Sequence, residues 1–166
     1  CLLDSMITDL NIWKKLNEKK ICINLGLSTI LIRIFRKCFY INRINEHPYY
    51  ESIADLKVSA HLLIRRCGEL VQFVNFDQRA WHAGQSCFEG RESCNNFSIG
   101  IELEGTDTDS YETVQYEQLA MVSRLLLDYY PTMSLSRITG HETIAPNRKT
   151  DPGPGFDWLY FRQLLA

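Results

Sequence analysis

The nine residues FSIGIELEG (97–105) constrain the fold more tightly than any other stretch. Ile99, Ile101 and Leu103 alternate with Gly100, Glu102 and Glu104. In an extended chain this puts three aliphatics on one face, and a glycine and two carboxylates on the other. Such a strand needs cover for its apolar face, and the next segment supplies it. In YETVQYEQLAMVSRLLLDYYP, Leu119, Val122, Leu126 and Tyr129 recur at helical spacing, which predicts a helix over 113–129 ended by Pro131. Upstream, VSAHLLIRR alternates Val58, Ala60, Leu62 and Ile64 against Ser59, His61, Leu63 and Arg65. With the Cys67-Gly68 turn and ELVQFVNF it reads as a β-hairpin across 58–76. SRITGH predicts a short strand running into a loop, and DWLYFRQLLA a closing helix with Asp157 as N-cap. The expectation is an α/β fold: one domain whose central mixed sheet includes 58–65, 69–75 and 97–103, flanked by helices.

The first quarter of the chain reads differently. Residues 1–45 carry eight Lys/Arg against three Asp/Glu, a balance of +5, whereas 46–166 carry ten against seventeen, a balance of −7. MITDLNIWKKLNEKK fits a short amphipathic helix, and ICINLGLSTILIRIFRKCFYINRINE one or two strands without a clean period. We therefore divide the chain into an atypical segment, 1–45, and a legible domain, 46–166.

The net charge of −2 argues against a nucleic-acid binder, which is normally basic. Six cysteines without a CxxC pair fit reduced thiols in a cytosolic protein and exclude a zinc knuckle. CLLDSMITDL lacks the basic start and apolar core of a signal peptide, and the apolar run Ile21 to Ile34 is too short to span a bilayer. No membrane partner is expected.

Several residues could carry chemistry. Glu102 is either part of a solvated sheet face or a general base at a cleft edge, where Gly100 leaves room for something to approach. His141 and Asp151 bear ordinary zinc-ligand atoms, and the prolines between and after them could curl the loop so that they meet. Alternatively, Asp151 simply opens an Asp-Pro-Gly turn. Lys149 is a surface lysine or an oxyanion stabiliser. His82, beside a buried-looking Trp81 in AWHAG, is structural or touches a substrate. His61 could hydrogen-bond on its strand face near Ser59. A Cys/His hydrolase using Cys87 or Cys94 lacks any mark of an activated thiol.

Four segments in order, HPYYESIADLKVSAHLLIRR, GELVQFVNFDQRAWHAG, FSIGIELEGTDT and TGHETIAPNRKTDPGPGFDW, resemble the AmpD-type N-acetylmuramoyl-L-alanine amidases. These are zinc amidases related to phage lysozyme-amidases and peptidoglycan recognition proteins. The resemblance covers about residues 46–166. It implies a cytoplasmic enzyme that cuts the amide between (1,6-anhydro-)N-acetylmuramic acid and L-alanine of the stem peptide during cell-wall recycling; a monomer is expected. It implies Zn2+ held by His141 and Asp151, with Glu102 and Lys149 as catalytic residues and Lys57, Trp81 and His82 as substrate contacts. Ser93 stands where such enzymes often carry an arginine. The family's third zinc ligand is a histidine on an early strand, and ICINLGLS puts Ile23 in its place. His47 and His61 are the candidates to replace it. The alternative reading is a non-catalytic muropeptide-binding module or a decayed amidase, with residues 1–45 derived from a shifted reading frame.

Overall fold

The computed structural model describes residues 29–35, 59–106 and 108–166, with 33–35 described by backbone alone. Five strands form one sheet in the order β3-β2-β6-β1-β7, with β1 at Thr29–Phe35, β2 at Leu62–Ile64, β3 at Leu70–Gln72, β6 at Ser98–Glu104 and β7 at Ile138–Gly140. Only β3, paired with β2, runs antiparallel, so the sheet is mixed as expected. The expected hairpin is there, but its regular pairing covers only 62–64 and 70–72. A two-stranded ribbon, β4 (Cys87–Phe88) with β5 (Arg91–Glu92), lies outside the sheet.

The alternation in FSIGIELEG sorts the two sides of the sheet. Ile99, Ile101 and Leu103 are buried with Ile30, Ile32, Leu62, Ile64 and Ile138 in one core. Helix α1 (Thr113–Tyr129) and helix α3 (Trp158–Leu165) complete that core. Leu119, Val122 and Leu126 face it as the helical spacing requires. Leu119 is fully buried, which is worth about 2–3 kcal/mol for a leucine. The opposite side carries a smaller core of Leu31, Ala83, Cys94, Phe97, Ile144 and Ala145. This is the side of Gly100 and Glu102.

Two anchors fix the loop that follows β7. Tyr111 donates its hydroxyl to the Pro152 carbonyl (3.2 Å), and the Asp157 N–H donates to the Tyr116 hydroxyl (2.7 Å). Asp157 also caps α3 by accepting from the Tyr160 N–H at 2.9 Å. The buried Gln115 donates to the Glu104 carbonyl (3.0 Å), tying α1 to the end of β6. The strands expected within 1–45 reduce, among the described residues, to β1; the proposed amphipathic helix lies outside them.

Candidate active site

Parallel sheets place ligand sites beyond the carboxyl ends of their strands, and the candidate residues gather there. In the register of the sheet, position 33 pairs with Glu102, and Ile32 pairs with Gly140. His141 follows Gly140 at once, as the first residue of the one-turn helix α2 (His141–Ile144). Three adjacent strands thus bring position 33, Glu102 and His141 to one level. Glu102 is buried, with 7% of its surface exposed, so the solvated-face reading fails. Burial of this kind suits a group that exchanges protons with a bound reactant rather than with bulk water.

His141 is almost wholly buried and both ring nitrogens have partners. Nε2 lies 3.0 Å from the Ala83 carbonyl oxygen. A carbonyl only accepts, so Nε2 carries a proton and donates. Nδ1 lies 3.1 Å from Asp151 Oδ2. With Nε2 protonated, a proton or a metal cation must sit between Nδ1 and that carboxylate oxygen. Two ligand atoms on a tetrahedral zinc, with bonds near 2.0–2.1 Å, stand about 3.3 Å apart. The pair therefore has ligand spacing. The Asp-Pro-Gly turn and the convergence on His141 prove compatible: the turn begins at Asp151, whose own carbonyl accepts from the Glu142 N–H at 3.0 Å. Glu142 is held above the usual carboxylate range, first by burial and then by the Asp151 charge.

The set is incomplete for zinc among the described residues, where no group of three or more His, Cys, Asp or Glu converges. The strand between β6 and β7 reads TILIRIF and has no such residue. Ile23, His47 and Lys57 lie outside the described residues.

The N-acetylmuramoyl-L-alanine amidase family model matches residues 39–154. This chain belongs to that family. The 1,6-anhydro-N-acetylmuramyl-L-alanine amidase AmpD of Citrobacter freundii is 62% identical over 122 residues, which cover 74% of this chain and 65% of that protein. The chain thus spans a little under two thirds of the length of the curated relatives it matches. A crystal structure of AmpD superposes with a TM-score of 0.73 at 49% identity, covering 85% of this chain and 86% of that one. The amidase AmiD of E. coli, solved with anhydro-N-acetylmuramic acid-L-Ala-D-gamma-Glu-L-Lys, gives 0.67 at 27% identity, over 84% of this chain and 57% of that one.

Within this amidase framework, the remaining candidates fall into place differently from one another. Trp81 is not buried: it is 48% exposed, with the Arg79 guanidinium 3.8 Å above its ring. Its backbone, not its indole, is tied down, through an N–H donated to Ser59 Oγ at 3.0 Å. His82 is buried, and its ring fills the space that Gly100 opens; a Cβ on Gly100 would lie 2.4 Å from His82 Cγ. What approaches Gly100 is thus this ring. His61 bonds elsewhere than the sequence suggested. Its Nδ1 accepts from the Gly100 N–H (3.0 Å), and its Nε2 therefore donates to the Gln78 carbonyl (3.1 Å). Burial pushes His61 down to about 4, so the ring is neutral near pH 7. Lys149 is half-buried, with its backbone N–H bonded to the Ala145 carbonyl at 3.1 Å. The described cysteines 67, 87 and 94 are free, and burial raises the Cys94 thiol, which disfavours it as a nucleophile.

Two contributors escaped the sequence reading. The buried Asn95 accepts with Oδ1 from the N–H groups of His82 (2.9 Å) and Ala83 (2.7 Å), fixing the loop that meets His141. Arg148 donates to the Ala83 and Gln85 carbonyls. Nothing local in ESCNN or PNRKT marks either role, because both act on backbone far away in sequence.

Proposed function

We propose that the domain hydrolyses the amide joining (1,6-anhydro-)N-acetylmuramic acid to L-alanine of the stem peptide, as a cytoplasmic, monomeric enzyme of cell-wall recycling. The observation that carries this reading is the His141–Asp151 pair at 3.1 Å, across β1 from the buried Glu102. Family membership and the identity to AmpD support the substrate class. His141 and Asp151 would hold Zn2+, which when bound polarises the scissile carbonyl and acidifies water.

The chain's own residues do the rest. Glu102 takes a proton from the attacking water and returns it to the departing alanine amine as the C–N bond breaks. Lys149 offsets the charge that builds on the carbonyl oxygen. The exposed Trp81 ring offers a flat apolar face to the muropeptide, Lys57 a cation for its carboxylates, and His82, whose buried ring packs against Gly100, a contact beside Glu102.

One observation favours the second reading, a muropeptide-binding module without turnover. β1 supplies no ligand between Glu102 and His141. Both readings are tested by incubating the purified chain with anhydro-muropeptide in the presence of zinc. Release of stem peptide that Glu102→Gln abolishes supports hydrolysis; saturable binding without release supports the second reading.

A further inference from the structure

We infer that Arg148 is a positioning residue for His141, acting through the carbonyl of Ala83. That oxygen receives two donors, His141 Nε2 at 3.0 Å and Arg148 Nη2 at 2.7 Å, one for each lone pair. The same Nη2 donates to the Gln85 carbonyl at 2.5 Å, so one amino group clamps both sides of Gly84. Gly84 sits at φ +59°, and a Cβ there would meet the guanidinium at 3.3–3.6 Å. The left-handed backbone and the missing side chain together let the planar group lie against the loop. From the other side Asn95 holds the N–H groups of His82 and Ala83. The Ala83 carbonyl is thereby fixed in direction.

A fixed acceptor at Nε2 has one consequence for the ring. Nε2 keeps its proton whatever happens at Nδ1, and the imidazole cannot flip without abandoning a buried hydrogen bond. Nδ1 is then aimed permanently at Asp151 Oδ2. Partners that orient a ligand ring in this way typically change metal affinity by about 10- to 100-fold when lost. Arg148 precedes Lys149 on the loop and reaches back across 65 residues, joining the Trp81–Gln85 loop to the His141–Asp151 loop.

The inference rests on the reading of His141 as a cation ligand only for its effect on affinity; the ring itself is read separately. The test is 15N-edited NMR of histidine side chains in the full chain, with zinc affinity by calorimetry. In the parent chain the His141 Nε2–H should be visible and protected from exchange, with or without zinc. Arg148→Met should lose that protection and weaken zinc at least about tenfold, and Arg148→Lys, which keeps the donors, should recover part of both. An unprotonated Nε2 in the parent chain overturns the proposal whatever the variants do. So does an Arg148→Met chain with undiminished protection. A lysine that rescues nothing, in a chain that retains its fold, assigns the effect to packing and overturns it as well.

Discussion

β1 and β6 lie side by side in the same sheet, in parallel register over seven residue pairs, and yet only β6 carries a carboxylate candidate for the proposed chemistry. β6 reads SIGIELE and β1 reads TILIRIF. On the helix-covered face the two are equivalents: Ile30 and Ile32 are buried as deeply as Ile99 and Ile101. On the cleft face β6 offers Gly100, which admits the His82 ring, and Glu102, while β1 has Leu31; position 33 pairs with Glu102 in the register. A strand's place in a sheet asks only for β-prone residues of suitable size on the buried face. A catalytic centre asks for particular donor atoms at particular positions. The first requirement is met on both strands; for the second, only β6 offers a candidate group, Glu102. A strand can therefore hold its place in the sheet without offering a ligand of its own.

The comparison can be broken by experiment. Ile32→Ala and Ile101→Ala should each destabilise the fold by about 2–5 kcal/mol in denaturant unfolding, the typical cost of emptying a buried isoleucine site. A negligible cost at Ile32 alone would show that β1 is not an equal member of the sheet. On the side that carries the chemistry, His141→Ala or Asp151→Ala should remove whatever zinc binding the chain has. The loss is on the order of 3 kcal/mol per ligand, read as about a hundredfold or more in affinity by calorimetry. Unchanged affinity would place the cation elsewhere.

A third prediction concerns His61, which holds β6 through the Gly100 N–H. Its folded pKa, about 4, lies below the unfolded 6.5, so the unfolded chain binds more protons between those values. Its contribution is therefore complete above about pH 6.5 and is lost as pH falls toward 4, to a total on the order of 3 kcal/mol. Unfolding midpoints at pH 7.5 and 4.5, for the parent and His61→Gln, should differ less in the variant. Equal differences would remove His61 as the cause. The smallest effect is expected from Gly100→Ala, which forces a methyl against the His82 ring and should cost about 1–3 kcal/mol by overpacking.

How far the sequence could be read follows the same division. The alternation of 97–103 and the helical spacing of Leu119, Val122 and Leu126 are local patterns, and both elements stand where they pointed. His141 and Asp151 were legible because the loop between them is short, and the structure brings them together. Trp81 was misjudged because an aromatic ring in a polar loop reads as buried, whereas only its backbone is held. Asn95 and Arg148 were invisible because their partners are distant backbone groups, which leave no trace in spacing. The N-terminal strand was the hardest. TILIRIF has neither alternation nor a turn signal, and its place in the sheet is set by β6 and β7 on either side. Ile23, which the family resemblance aligned with the third zinc ligand, lies outside the described residues, whereas the register of β1 sets position 33 level with Glu102.

That difference supplies the decisive measurement: zinc affinity and stoichiometry for the parent chain, Arg33→His and Ile23→His, by calorimetry and metal analysis. The account predicts weak, substoichiometric zinc in the parent chain. In Arg33→His it predicts a gain of about 30-fold or more, on the order of 2 kcal/mol or above for one added ligand, and in Ile23→His no comparable gain. Tight, stoichiometric zinc in the parent chain, or a gain confined to Ile23→His, would contradict it.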